Sequence, residues 1–218
     1  MIINEFIKKT EEFVKVRLKD FDSGHNWWHI DRVRRLSSFI NASEQLADPF
    51  IIDLSALMHD VADSKFIAGN EGDAYALVEN FLMENEIDHQ VKEKVMFVIR
   101  NISFSSGDKQ TGLMTPELMI VQDADRLDAI GAIGIARAFN YGGFRNREIY
   151  IPAELPKINM TKEEYKKSDP STINHFYEKL LLLKGLMNTE RGRKLAEERH
   201  QFMELFLETF YEEWNFSK

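Results

Sequence analysis

The sequence predicts an all-α fold. Apolar residues recur at helical spacing through most of the chain, as in Ile3, Ile7, Val14 and Leu18. Strand signals are few, because no clean alternation of apolar and polar residues is bounded by hairpin turns. No apolar run approaches the roughly 20 residues that a membrane-spanning helix needs. We therefore expect one helical domain that covers all 218 residues.

The same spacing places the elements in order. Helices are expected at about 3–21, 30–40, 51–63, 77–82, 91–99, 117–139, 172–187 and 189–214. Pro116 suits the start of the 117–139 helix, because proline is tolerated in the first turn. The expected organisation is a core of about residues 20–140, a loop of about 141–170 and a pair of C-terminal helices at about 171–215.

Composition and charge narrow the classes of function. A hydrophobic content of 44% and a charged content of 29% are ordinary for a soluble globular protein. The formal net charge of −8 argues against extended nucleic-acid binding, but one pocket can still be positive enough for a small phosphorylated ligand. The chain has no cysteine, which excludes thiolate metal sites. The first residues resemble neither a signal peptide nor an anchor, so we expect a cytoplasmic protein without a membrane contact.

The stretch ALMHDVADSKF, residues 56–66, places ionisable side chains in an otherwise apolar run. On the expected 51–63 helix, His59 and Asp63 lie on one row, and Asp60 lies one turn before Asp63. Buried charge is costly without a partner. One imidazole and two carboxylates are ligand types that suit a divalent metal ion.

The expected 117–139 helix has a similar anomaly. Val121, Asp125, Asp128, Ala132 and Ile135 form a single row, so two acids interrupt an apolar face. Aspartate is rarely buried unless it is paired. A metal ion or a pocket for a cationic group would account for both helices.

A third feature is the segment GHNWWHIDRV, residues 24–33. His25 and His29 are four residues apart, a spacing that can chelate one metal ion. Alternatively, one histidine binds the metal while the other faces an anionic substrate together with Arg32, which lies one turn after His29. Arginine suits that task because its guanidinium grips phosphate oxygens in pairs.

Together these segments resemble the HD-domain superfamily of metal-dependent phosphohydrolases. The ordered pattern is His29, then His59-Asp60, then Asp125. WWHIDRV is similar to the family's H-x-x-R-V box, LMHDVADSKF to its HD box and VQDADRLDAIGAIGIARAF to its distal aspartate helix. The set resembles a bacterial branch of small single-domain proteins, some of which are nucleoside triphosphate pyrophosphohydrolases.

The resemblance implies an HD-domain, phosphodiesterase-like helical bundle with the C-terminal helical pair packed on it. It also implies one divalent ion, manganese, magnesium or another first-row transition metal, bound by His29, His59, Asp60 and Asp125. Dinuclear members carry further histidines after the HD box, whereas only His89 lies between residues 59 and 175, so we expect one ion. Members with an H-D-x-x-E-D stretch use both acids, whereas this chain keeps only the one at position 63.

Roles for the surrounding residues follow as hypotheses. Asp63 is placed to accept a proton from water, and Asp128 is the alternative base or a residue that orients His29. The alternative for Asp128 is an ion pair with Arg126 or Arg32. The candidates for holding the phosphates are His25, Arg32 and Lys65. His175 is either a site residue or a hydrogen-bonded core histidine.

The expected reaction is hydrolysis of a (deoxy)nucleoside triphosphate to the monophosphate and pyrophosphate. One alternative is a nucleoside monophosphate phosphatase that uses the same metal site. The other is a regulatory module that binds metal or nucleotide without turnover. A homodimer is also possible, since Phe202, Phe206, Phe210 and Trp214 recur every four residues on the last helix.

Overall fold

The computed structural model describes residues 3–19, 26–61, 71–102, 113–158, 160–161, 164 and 168–217. No strand occurs among these residues, and the all-α prediction is confirmed. The helices are α1 Ile3–Arg17, α2 Trp27–Glu44, α3 Pro49–Met58, α4 Glu71–Glu84, α5 His89–Asn101, α6 Pro116–Asp128, α7 Gly131–Phe144, α8 Thr172–Glu178, a 3₁₀ helix Leu180–Leu186 and α9 Glu190–Trp214. In this part of the chain, no helix is both long and apolar enough to cross a membrane.

Contacts divide the chain into two compact units, Met1–Ala124 and Asp125–Lys218. The division falls inside α6, so this helix begins in the first unit and ends in the second. The existence of one independently folding domain over residues 1–218 stays a prediction.

The first unit is built around α3, which packs against α1, α2 and α5. The side chains of Leu54 and Leu57 on α3 have no exposed surface. Burial of a side chain of this size contributes about 1.5–3 kcal/mol to folding. Asp48 caps the start of α3 by accepting a hydrogen bond from the Phe50 N–H, and Pro49 occupies the first turn.

An ion-pair network joins three helices of the first unit. The Arg34 guanidinium on α2 donates to both carboxylate oxygens of Asp53 on α3, at 2.9 and 2.8 Å. Its remaining nitrogen donates to Glu11 on α1 at 2.6 Å. Two-point contacts between arginine and a carboxylate are strong and geometrically specific. The network therefore fixes α2, which carries His29, relative to α3, which directly precedes His59 and Asp60.

The second unit is held together by aromatic side chains. Phe139 of α7, Phe176 of α8 and Phe206 of α9 have ring centroids 5.8–6.1 Å apart. The Tyr150 ring contacts Phe210 and Trp214 of α9 edge-on, with centroids 5.8 and 5.1 Å away. Such pairs add about 0.5–1.5 kcal/mol each beyond the area that they bury. The four-residue aromatic spacing on α9 thus supplies packing contacts within this unit, although Phe202 and Trp214 remain about half exposed.

The expected continuous helix over residues 117–139 is wrong. The chain breaks after Asp128, with Ile130 extended at φ −127° and ψ 167° and Gly131 at φ +74°. A positive φ at this point requires glycine and cannot continue a right-handed helix. Ala132 and Ile135 therefore lie on α7 and do not share a helical row with Asp125.

Three other element boundaries differ from expectation. The helix expected to reach residue 63 ends at Met58, although His59 keeps helical backbone angles of φ −58° and ψ −39°. The segment expected as a loop from residue 141 begins later, because α7 continues to Phe144. The expected 172–187 helix is interrupted at Lys179, whose φ of −143° separates α8 from the 3₁₀ helix.

Candidate metal centre

The first turn of α2 places His29 in the interior. The Asn26 side chain accepts hydrogen bonds from the backbone N–H groups of Trp28 and His29, at 3.0 and 3.2 Å, and so fixes the start of the helix. Ile30 and Val33 have no exposed surface. These neighbours lie on the buried face of α2. His29 lies beside them, and only 1% of this residue is exposed.

The imidazole of His59 is oriented by its own helix. His59 Nδ1 donates to the carbonyl oxygen of Ala56 at 2.8 Å. A carbonyl oxygen only accepts, so the proton lies on Nδ1 in the neutral ring and the lone pair lies on Nε2. Histidine ligands of metals are commonly oriented by such a contact from the second ring nitrogen.

Three side chains of the first unit converge at this point. His29 Nε2 lies 3.3 Å from His59 Nε2 and 3.4 Å from Asp60 Oδ2. The His59 Nε2 atom is 3.3 Å from Asp60 Oδ1. Ligand atoms that each lie about 2.0–2.2 Å from one ion are about 3.0–3.5 Å apart when they are neighbours around it. The donor types and their separations therefore fit a divalent metal ion.

The structure places the two aspartates of α6 differently. Asp125 is partly buried and is the first residue of the second unit, directly after Ala124 and one turn after Val121 of the first. The Asp128 residue is only 3% exposed, and its Oδ2 accepts a hydrogen bond from Arg137 Nη1 at 2.6 Å. Arg137 was not expected as a partner, since nine residues and a helix break separate it from Asp128.

The remaining residues predicted for the site have different outcomes. Arg32 is on α2, one turn after His29, and is partly buried. Arg126, which was considered as a partner of Asp128, donates to the backbone oxygen of Leu186. The candidates His25, Asp63 and Lys65 lie outside the described residues.

His175 lies in α8 of the second unit. Burial, together with the positive charges of Lys179 and Arg147, lowers the pKa of its imidazole to about 3. The ring of this partly buried residue is therefore neutral at physiological pH.

This lowered pKa predicts a loss of stability in mild acid. Between pH 6.5 and 3 the unfolded chain binds a proton at His175 that the folded chain does not, so the free energy of unfolding decreases as the pH falls. Each pH unit in this window is worth at most about 1.4 kcal/mol, or about 2 kcal/mol between pH 6.5 and 5. Urea unfolding at pH 7 and 5 should show that His175→Gln loses about 2 kcal/mol less than the wild type. His89→Gln, at an exposed position on α5, should behave as the wild type does; equal losses in all three proteins would contradict the prediction.

Comparison with known proteins supplies the family. No protein-family model matches the chain. Over 205 residues the chain is 36% identical to YpgQ, an uncharacterized protein of Bacillus subtilis (strain 168), and the match covers 92% of this chain and 91% of YpgQ. A crystal structure of an HD-superfamily hydrolase from Bacillus thuringiensis has a TM-score of 0.78 at 41% identity, with 98% of each chain covered. The chain belongs to the HD superfamily.

Other solved structures have a similar fold. A crystal structure of a Lactobacillus plantarum protein has a TM-score of 0.83 at 35% identity and covers 99% of each chain. The crystal structure of YpgQ in complex with ADP has a TM-score of 0.75 at 34% identity, covering 95% of this chain and 97% of that chain. Membership of the HD superfamily places the chain among metal-dependent phosphohydrolases, and its His29, His59 and Asp60 side chains suit the divalent ion of that class.

Proposed function

We propose that this HD-superfamily protein hydrolyses nucleoside triphosphates, with deoxynucleotides included, to the monophosphate and pyrophosphate. The observation that carries the proposal is the convergence of two imidazole nitrogens and one carboxylate within 3.3–3.4 Å of one another. This is the spacing of neighbouring ligands around one ion, and it leaves coordination positions open for water and for a phosphate oxygen.

Asp125 is the proposed fourth ligand. The ordered family motif that contains His29 and His59 ends at this residue, and a carboxylate is a donor type that suits such an ion. Its helix is anchored in the first unit up to the preceding residue, where Val121 and Ala124 have no exposed surface. A set of two nitrogen and two oxygen donors suits manganese and other first-row transition metals; magnesium, which prefers oxygen donors, is a further candidate.

The chain's own residues have separate tasks in this proposal. A bound divalent ion supplies Lewis acidity, which lowers the pKa of water and offsets phosphoryl charge. The Ala56 carbonyl keeps the proton of His59 on Nδ1 and thereby keeps Nε2 available as a donor. Arg32, one turn after His29, is proposed to bind phosphate oxygens through its guanidinium, with His25 and Lys65 as further candidates.

Proton transfer is assigned to a carboxylate. We propose that Asp63 accepts the proton of the attacking water, a contribution that is typically worth ~10²–10⁴-fold in rate. Asp128 is the less favoured base, because its carboxylate already accepts a hydrogen bond from the Arg137 guanidinium. A base in an ion pair of this kind is harder to protonate.

The nucleotide part of the proposal rests on a relative. YpgQ has been crystallised in complex with ADP and is 34% identical to this chain in that structure. A site that accepts a nucleoside diphosphate already accommodates a base, a sugar and adjacent phosphates. This supports a nucleotide as the substrate here.

Product analysis in ¹⁸O-labelled water tests the reaction. With manganese present, we expect pyrophosphate as the inorganic product and the label in the nucleoside monophosphate, because water attacks the α-phosphorus. Release of single phosphates would show that the pyrophosphohydrolase assignment is wrong and would favour the monophosphate phosphatase. No turnover with any nucleotide, despite stoichiometric manganese binding, would favour a binding module.

A further inference from the structure

The last turn of α6 carries Asp125 and ends at Asp128. The last four backbone carbonyls of an α-helix have no N–H donor within the helix. Contacts between residues three apart close the turn, from Ala129 N–H to Arg126 O at 3.1 Å and from Ile130 N–H to Leu127 O at 3.2 Å. A proposed metal ligand therefore lies at a helix end, where helices tend to fray.

Two arginines from other helices supply that support. Arg137 of α7 donates from a single nitrogen, Nη1, to the backbone oxygen of Asp128 at 3.1 Å and to its Oδ2 at 2.6 Å. The Arg199 guanidinium of α9 donates to the backbone oxygen of Leu127. Positive charge at a helix C-terminus is favourable, because the unpaired carbonyls carry a partial negative charge.

The packing of Arg199 fixes it at this position. A Cβ atom at Gly131 would lie 2.9–3.3 Å from the Cβ, Cγ and Cδ atoms of Arg199, so the arginine stem occupies the space that glycine leaves open. Burial lowers the pKa of the Arg199 guanidinium, while the charge of Asp128 acts in the opposite direction. Asp128 is thus the carboxylate that offsets the charge of two partly buried arginines.

We propose that Arg137 and Arg199 are positioning residues for the metal ligand Asp125, and that the Asp128 carboxylate is their anchor, not the base. This inference rests on the proposed function. If the arginines position Asp125, their loss should weaken metal affinity. If they only stabilise the second unit, their loss should leave metal affinity unchanged.

Manganese titration by calorimetry tests the role of Arg137. Loss of a residue that orients a metal ligand typically weakens metal affinity 10–100-fold, and we expect Arg137→Met to fall in this range. Turnover of this variant should recover when manganese is raised to saturation. Arg137→Lys should stay within a few-fold of the wild type, because one ammonium nitrogen is able to make both contacts that Nη1 makes.

A matched control separates positioning from stability. Ser171→Ala removes the hydroxyl that caps α8 in the same unit, so it should lower stability by about 1 kcal/mol and leave manganese affinity unchanged. Wild-type affinity in Arg137→Met, or an equal loss of affinity in Ser171→Ala, would overturn the inference.

Asp128→Asn then separates the anchor from the base. The amide oxygen of asparagine still accepts from Arg137, so manganese affinity and the saturated rate should remain within about 10-fold of the wild type. A ~10²–10⁴-fold lower rate at unchanged affinity would make Asp128 the base and overturn this assignment. Failure of the wild type to bind manganese would overturn the proposed function and this inference together, whereas manganese binding that Arg137→Met leaves unaltered would overturn only the inference.

Discussion

His59→Ala is expected to abolish both metal binding and turnover. The substitution removes the nitrogen that lies 3.3 Å from both His29 Nε2 and Asp60 Oδ1, so the remaining donors no longer surround one point. Stabilisation of phosphoryl charge by a metal ion is worth several kcal/mol, and each 1.36 kcal/mol is tenfold in rate. We therefore expect a rate at least ~10³-fold lower.

Three measurements check this result. Elemental analysis should find about one manganese ion per wild-type chain and none in His59→Ala. Manganese at 100 times its dissociation constant should raise the wild-type free energy of unfolding by about 2.7 kcal/mol and leave that of the variant unchanged. The third measurement is the rate of nucleoside triphosphate turnover, which should be lower in the variant by the factor given above.

His89→Ala is the matched control for the same chemical change. His89 begins α5, and its side chain is 80% exposed, with Glu93 as a neighbour 3.9 Å away. This variant should keep its metal and its rate. Retention of metal and activity in His59→Ala, or an equal loss in His89→Ala, would show that the converging side chains are not the metal site.

The sequence predicted the ligand motifs from two kinds of signal. One is the presence of ionisable residues in an apolar run, and the other is the order of the family's motifs along the chain. The cost of burying His59 and Asp60 among apolar residues is visible within a few residues of sequence. Nothing in helical spacing, however, joins His29 to His59 across 30 residues; that pairing came from the ordered motif of the family. His59 lies just after the last residue of α3, but its backbone angles are still helical, as its expected position on a helix requires.

The break between α6 and α7 was missed because its causes are not local. The helical spacing of apolar residues continues across Gly131, and each glycine costs a helix only about 1 kcal/mol. Contacts decide the outcome, since Arg199, 72 residues beyond Leu127, donates to that residue's carbonyl and packs its stem on Gly131. Single-sequence patterns contain no signal for a contact of this separation.

The same limitation applies to Arg137 and to Lys179. In the sequence, Arg137 is an ordinary charged residue of a helix. Its contact with Asp128 depends on the turn between α6 and α7, which the sequence pattern does not predict. The leucine run at residues 180–183 favours a continuous helix, yet the φ of −143° at Lys179 interrupts it. Tertiary packing overrides a weak local propensity in such segments.

Gly134→Ala is expected to give the largest loss of stability among single methyl additions in α7. A Cβ atom at Gly134 would lie 2.2 Å from the carbonyl oxygen of Ala129 and 2.5 Å from its carbon. These are backbone atoms of the turn that joins α6 to α7, so the turn itself must move. Overpacking of this kind costs about 3 kcal/mol, which corresponds to a melting temperature lower by roughly 6–12 °C for a chain of this size.

Gly143→Ala, on the same helix, is the control with the opposite expectation. Apart from its chain neighbours and its own helix backbone, no atom of the described residues lies within 4 Å of a Cβ at Gly143, and alanine favours a helix over glycine by up to about 1 kcal/mol. In thermal and urea unfolding, the free energies of unfolding of the two variants should therefore differ by about 3–4 kcal/mol; equal stabilities would show that the turn is not closely packed against α7.

Since the displaced turn directly follows Asp128, manganese affinity should fall in Gly134→Ala and stay unchanged in Gly143→Ala. A methyl group without charge or hydrogen-bonding capacity would then weaken metal binding solely through the backbone that ends α6.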